Sequence, residues 1–126
     1  MEIIDLLKNG LLAGIIAGTL NVVIYFIAKQ MSWVSNSVLL PGGKPLTLLP
    51  IIFSSVIPSI LAAVTLFALD RMSDNPISIF TIIGIVILLL SLGGPFSIPR
   101  LPTSTRLTLA LMHLIAGGVI IYFLRK

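Results

Sequence analysis

His113 is the side chain of this sequence best suited to chemistry. It is the only histidine of the chain and lies in an apolar stretch at residues 107–124. Imidazole changes its charge near neutral pH, which no other side chain of the apolar stretches does. Because ionisable groups are costly at membrane depth, a histidine there is a candidate for a functional site. The competing interpretation is structural: His113 hydrogen-bonds to a neighbouring helix and sets its register.

Other polar side chains lie at a similar depth in the remaining apolar stretches. From the middle of each stretch, Asn21 and His113 are displaced by roughly two to three residues, and the serines by roughly three to five, toward the loop between the first two stretches. At 1.5 Å per residue these groups form a layer over about 4–8 Å of depth. The candidate ligand-binding residues are Asn21, Ser55, Ser91 and His113 of this layer, together with Arg106, which lies two turns from His113 toward the loop and could hold an anionic group.

Each of these residues also has a structural interpretation. Asn21 can hydrogen-bond to a neighbouring helix, at about 0.6 kcal/mol per bond. The serines, Ser54 included, can donate to a carbonyl one turn back in their own helix. Arg106 can extend its guanidinium to the headgroups as an interfacial anchor, or hold an anionic group.

Small residues recur on one face of the first and last stretches. At about 100° per residue, Gly10, Gly14 and Gly18 lie within about 80° of one another, with Asn21 in the same sector. This spacing is typical of helices that approach closely in lipid. The partner helix can belong to the same chain or to a second copy. The last stretch has a comparable face, formed by Arg106, Ala110, His113 and Gly117.

The composition is that of a membrane protein. Of 126 residues, 57% are hydrophobic and 10% are charged, against about 25% charged residues in soluble chains. The eight Lys and Arg residues are scattered singly near the ends of the apolar stretches, where they anchor helices at lipid headgroups. They form no clustered basic face, so a nucleic-acid partner is not predicted.

The residue types exclude several kinds of active site. Without cysteine, thiolate metal sites and cysteine nucleophiles cannot form. No Asp or Glu lies in an apolar stretch, which excludes paired carboxylates there, and a single histidine cannot hold a metal ion alone. We therefore predict no catalytic residue, no metal site and no resident cofactor, and we expect that the protein is not an enzyme.

Four apolar stretches, at residues 9–28, 47–69, 77–95 and 107–124, account for most of the chain. As helices of about 18–23 residues they can each cross a hydrocarbon core of about 30 Å. They lack the alternation of barrel strands. The sequence therefore predicts a single all-α domain, with four transmembrane helices in an up-and-down bundle.

Local signals predict where these helices begin, bend and end. Residues 1–8 lie in the interface or extend the first helix, and Pro58 is expected to kink the second. Asn75 and Pro76 are typical of a helix start. Gly93-Gly94-Pro95 ends the third helix, and Thr103 or Ser104 caps the fourth. Trp33 is expected at the interface, and the segment PGGKP at residues 41–45 in a turn.

The Lys and Arg count leaves the orientation almost undecided, with four on each side of the membrane. If Lys29 extends from within the first helix, it adds less to the Lys and Arg count of the side opposite the termini. We therefore predict a multi-pass protein of a bacterial-type inner membrane with both termini cytoplasmic.

Two short segments carry a family resemblance, AGTLNVVIY around Asn21 and LTLALMHLIAGG around His113. With them the chain resembles a family of small bacterial four-helix membrane proteins whose function is not established. The resemblance implies a fold and two candidate positions, but no activity. Small multidrug transporters share the layout, but they depend on a membrane glutamate in their first helix, where this chain has Asn21.

Three functional hypotheses remain. The first is a non-enzymatic membrane module, which binds a small hydrophobic or amphiphilic ligand or packs with partner subunits through the layer around Asn21 and His113. The second is a small oligomeric transporter or channel with His113 as a proton-sensitive group. The third is a subunit associated with haem or quinone.

Overall fold

The computed structural model describes residues 2–33, 48–97 and 101–125. It is all-α over these residues, with α1 at Ile3–Gln30, α2 at Leu48–Met72, α3 at Pro76–Ser91, α4 at Gly93–Ser97 and α5 at Thr103–Leu124. Four candidate membrane spans result, because α3 and α4 together form the third, at Pro76–Ser97. The spans pack together. The predicted fold class is confirmed.

Three of the helices, α1, α2 and α5, extend beyond the apolar stretches from which they were predicted. α1 begins at Ile3, so the leader continues the first helix. α2 runs from Leu48 through Pro58 to Met72 without an interruption. The predicted turn at residues 41–45 lies outside the described residues. Helices lengthen in this way because polar residues at the ends of a span also satisfy their backbone groups best as helix.

Two of the three predicted boundaries agree with the structure. Asn75 is the N-cap of α3, with Pro76 in the first turn, although its side chain makes no capping hydrogen bond. α3 ends at Ser91 and the short α4 follows from Gly93. The predicted cap of the last helix was wrong. Pro102 holds that position because its carbonyl already accepts the amide hydrogen of Arg106, at 3.0 Å.

α1 and α5 are held together by a hydrogen bond at the end of the bundle where α1 ends and α5 begins, called the loop end below. After α1, the amide of Trp33 donates to the carbonyl of Ala28 at 2.8 Å, across Ser32, whose φ is 61°. This is the hydrogen bond of a Schellman motif, which needs a left-handed residue at this point. The turn presents the Trp33 carbonyl to Thr105, whose hydroxyl donates to it at 2.5 Å. The start of α5 is therefore fixed to the end of α1.

Two apolar clusters form the core, one at each end of the bundle. The cluster at the loop end consists of Tyr25, Ala28, Ile51, Leu101, Leu109 and Met112. The cluster at the opposite end consists of Leu6, Ala13, Ala63, Leu66, Phe80, Ile120 and Leu124. The buried polar side chains Asn21 and Ser55 lie between these clusters along their helices. These two polar groups are thus held away from lipid near the centre of the bundle.

α3 is the peripheral helix. Phe80 is its buried residue, and 6% of the apolar window of its span is buried, against 39% for α1. α1 packs mainly on α2 and α5, whereas α3 makes fewer contacts with α2 and α5. Space therefore remains between α3 and the rest of the bundle.

Candidate functional site

Asn21 is the most deeply buried of the polar candidates. Its side chain is 3% exposed, and its Nδ2 donates to Oγ of Ser55 at 3.3 Å. The Ser55 hydroxyl in turn donates to the carbonyl of Ile51 at 3.2 Å, so its oxygen must accept from the asparagine. This fixes the orientation of the amide. Its other atom, Oδ1, is buried without a hydrogen-bond partner among the described residues.

The glycine face of α1 places Asn21 at this position. A Cβ on Gly10 would lie 2.9 Å from the carbonyl oxygen of Ser59, and one on Gly14 would lie 2.9 Å from Cα of Val56. A Cβ added at Gly18 would lie 3.7 Å from Cβ of Ser55, its nearest atom in α2. α1 therefore lies against α2 of the same chain along this row. One turn beyond Gly18, Asn21 reaches Ser55.

A groove of about 750 Å³ lies beside this contact. α2, α3 and α5 form its walls, α1 contributes Asn21, and α4 contributes Gly94, Pro95 and Ser97 at the loop end. The volume is in the range of small-molecule pockets, roughly 300–1,000 Å³. Its lining includes large apolar side chains that are exposed on α2 and α3, Leu61 among them, so the groove is open on this side of the bundle.

His113 lines the groove from α5 and is half-buried. Its Nδ1 lies 2.8 Å from the carbonyl oxygen of Leu109. Because a carbonyl only accepts, Nδ1 carries the hydrogen of this bond. When the imidazole is neutral, this hydrogen bond leaves the lone pair on Nε2, which can then accept a hydrogen bond.

Hydroxyl groups complete the polar part of the lining, and each donates to its own helix. Ser54 donates to the Ile51 carbonyl at 2.8 Å, and Ser91 to the Leu88 carbonyl at 2.7 Å. Thr65 and Ser97 bond in the same way three or four residues back. These groups therefore retain lone pairs but no free hydrogen.

The structure brings three of the five candidate ligand-binding residues to the groove, namely Asn21, Ser91 and His113. Ser55 lies behind Asn21 at the α1–α2 contact and does not line the groove. Arg106 is half-buried in the first turn of α5, outside the lining. The packing candidate Gly117 is in the wall, where a Cβ would meet Cδ1 of Leu88 at 2.5 Å.

Sequence reasoning missed the row of α2 that receives the glycines. Ser55, Ser59 and Ala63 recur every four residues and are fully buried, with 0% exposed surface. This small-residue spacing is the same signal that drew attention to α1, so it was available in the sequence. Thr65 and Ser97 of the groove were also missed, and their spacing carries no comparable signal.

Comparison with known protein families assigns the chain to one of them. Residues 4–126 match the model of a family of unknown function, DUF6069. The chain belongs to this family. No curated protein and no solved structure matches the chain. With its four apolar spans, this member of the family is a multi-pass integral membrane protein.

Proposed function

We propose that this protein binds a small amphiphilic molecule in the groove between α2, α3 and α5. The observation that carries the proposal is a groove of about 750 Å³ with Asn21 in its lining, a residue whose buried Oδ1 has no hydrogen-bond partner among the described residues. An unsatisfied buried polar atom costs about 1–3 kcal/mol. A molecule bound in the groove removes this cost when the Asn21 side chain turns its Oδ1 toward it.

The shape and lining of the groove support a ligand. Polar groups are few and lie among apolar side chains, the pattern of sites that bind small molecules. The lining mixes large side chains such as Leu61 and Met112 with small ones such as Gly84 and Ala116, and the small ones leave the space that a ligand would fill.

The test is native mass spectrometry of protein extracted gently from its own membrane, with lipid extraction of the same sample. Ala116→Phe fills the groove, since Ala116 lies in its wall. Ala68→Phe is the matched control, because Ala68 is exposed and outside the lining. We expect a small molecule bound to the wild type and to the control, and its loss from Ala116→Phe.

Two results would contradict the proposal. One is a small molecule that Ala116→Phe retains, because the ligand would then bind elsewhere. The other is a wild-type sample without a small molecule but with a second membrane subunit of defined stoichiometry. In that case the groove would serve subunit packing, which is the other branch of the module hypothesis.

We also propose that both termini are cytoplasmic. The ammonium of Lys29 lies 5.5 Å from the ring centroid of Tyr25, one turn back along α1. This position supports giving Lys29 less weight in the Lys and Arg count of the side that holds the loop between α1 and α2, and the other side, with both termini, then has the higher count. The chain has no native cysteine. In intact cells, Gln30→Cys should therefore react with a membrane-impermeant maleimide, and Asp74→Cys should not. The reverse pattern would show the opposite orientation.

A further inference from the structure

We infer that the groove selects an uncharged amphiphile that donates a hydrogen bond, that is, an alcohol or a phenol with an apolar body. Its hydroxyl would lie beside Asn21 and His113, and its apolar part would follow the groove toward Phe80. This inference rests on the proposed function and adds the chemical class of the ligand. It follows from the set of hydrogen-bond donors and acceptors in the lining, in which acceptors predominate.

Two side chains of the lining, Asn21 and His113, each have an acceptor atom that needs a hydrogen-bond donor. Oδ1 of Asn21 is an acceptor without a partner among the described residues, and its orientation follows from the Ser55 hydrogen bond. Nε2 of a neutral His113 is an acceptor because Nδ1 donates to Leu109. A ligand that only accepts would leave both atoms unsatisfied.

The remaining polar groups strengthen this preference. The four hydroxyls of the lining donate to carbonyls of their own helices and offer lone pairs to the groove. Pro58 has no amide hydrogen to give to the carbonyl of Ser54, four residues earlier. Within the part of the lining that the structure describes, the side-chain hydrogen left for an occupant is the second amide hydrogen of Asn21.

With His113 neutral, the described lining carries no charge, because it contains no Asp, Glu, Lys or Arg. A permanently charged headgroup inside the groove would lose its hydration without gaining a counter-ion, which is strongly unfavourable in lipid. The occupant is therefore uncharged. A quinone is uncharged but has only acceptor oxygens, so the lining matches a hydroquinone better than the quinone form.

The groove is polar at one end and apolar at the other. Along α2 it extends from Pro50 to Thr65, about 22 Å at 1.5 Å per residue. Most polar groups lie toward the loop end, and the opposite half is mainly apolar, with Leu61, Phe80 and Ile120 in its wall. This division orients an elongated amphiphile with its hydroxyl toward the loop end.

The test compares two probes whose oxygen carries either a hydrogen or a methyl group. Purified full-length protein in phosphatidylcholine vesicles is irradiated with hexadecanol carrying a diazirine in its chain, or with the methyl ether of the same probe. Labelled residues are mapped by mass spectrometry. Because one hydrogen bond contributes about 0.5–1.5 kcal/mol, we expect the alcohol to label the groove roughly three- to tenfold more than the ether.

Variants decide which atoms cause the preference. Asn21→Leu and His113→Phe should each lower the alcohol-to-ether ratio toward one, whereas Ala68→Phe should leave it unchanged. If Asn21→Leu fails to fold, His113→Phe alone decides. A ratio unchanged in His113→Phe, or in a folded Asn21→Leu, would overturn the assignment of that atom as an acceptor for the ligand.

The outcomes separate this inference from the proposed function. Equal labelling of the groove by both probes, abolished by Ala116→Phe, would overturn the donor preference and leave the binding function standing. Labelling by either probe that is the same in Ala116→Phe as in the wild type, or no labelling of the groove at all, would overturn both.

Discussion

Two neighbouring rows of α2 have opposite environments. Ser55, Ser59 and Ala63 are fully buried against the glycines of α1, whereas Ser54 and Pro58, one position earlier, border the groove and are exposed. The two serines are at the same depth, and both donate to the Ile51 carbonyl. Their difference arises from the neighbouring helices and not from their own chemistry.

The two rows of α2 differ in their packing: the buried row lies against α1, and the exposed row borders the groove. Van der Waals packing of small residues is a main attraction between helices in lipid, and the α1–α2 contact concentrates it. The groove lacks that packing and is therefore free to accept a ligand. Substitutions in the first row should unfold the protein, and substitutions in the second should change what it binds.

The largest effect should come from Gly14→Leu. A side chain here meets Ser59 and the Cα of Val56, and backbone cannot move aside. Overpacking of this kind typically costs about 1–3 kcal/mol and occasionally more, so we expect a loss near the upper end, about 3 kcal/mol. This loss of unfolding free energy is measured by circular dichroism during unfolding in mixed micelles of increasing dodecyl sulfate content.

The control is Gly118→Leu, because a Cβ added at Gly118 has no atom within 4 Å. Equal unfolding midpoints for the two variants would refute the packing argument.

The two serines provide the next test, because they differ in position by a single residue. Ser55→Leu overpacks the α1–α2 contact and should cost about 1–3 kcal/mol. Ser54→Leu lies beside the groove and should change the unfolding free energy by less than about 0.5 kcal/mol. The same micelle titration applies. Similar losses for both variants would mean that the two rows of α2 are not energetically distinct.

Gly117→Ala should have a smaller effect than Gly14→Leu despite a short contact. The added Cβ would lie 2.5 Å from Cδ1 of Leu88, but that atom is the end of a flexible side chain on the peripheral α3. Leu88 can change its rotamer, so we expect a loss below about 1 kcal/mol. A loss as large as that of Gly14→Leu would show that α3 is held as rigidly as α2.

The smallest expected effect is the coupling between Asn21 and Ser55. Their hydrogen bond is 3.3 Å long, and such bonds in membranes average about 0.6 kcal/mol. A double-mutant cycle with Asn21→Leu and Ser55→Ala isolates this value. A coupling above about 2 kcal/mol would indicate that Asn21 serves mainly to join α1 to α2, which would weaken its role in the groove.

Much of the fold could be predicted because it depends on local patterns. The length of each apolar stretch indicates a spanning helix, and Asn75-Pro76 and Gly93-Gly94 mark two boundaries in the structure. The cap at Thr103 or Ser104 was misplaced, because Pro102 can itself supply the N-cap carbonyl. Of the site, sequence reasoning found Asn21, Ser91 and His113 from their shared depth, but it also included Ser55 and Arg106, which lie outside the groove.

The sequence by itself determined four apolar helices, the depth of their polar groups and the spacing of the small residues, because these follow from composition and helical period. The tertiary structure decided that the glycines of α1 contact α2 of the same chain, that Ser55 is enclosed while Ser54 is exposed, and that a groove remains beside α3. The physical reason is that lipid and protein interior are equally apolar. A hydrophobic pattern therefore cannot distinguish a face covered by helix from a face open to the bilayer.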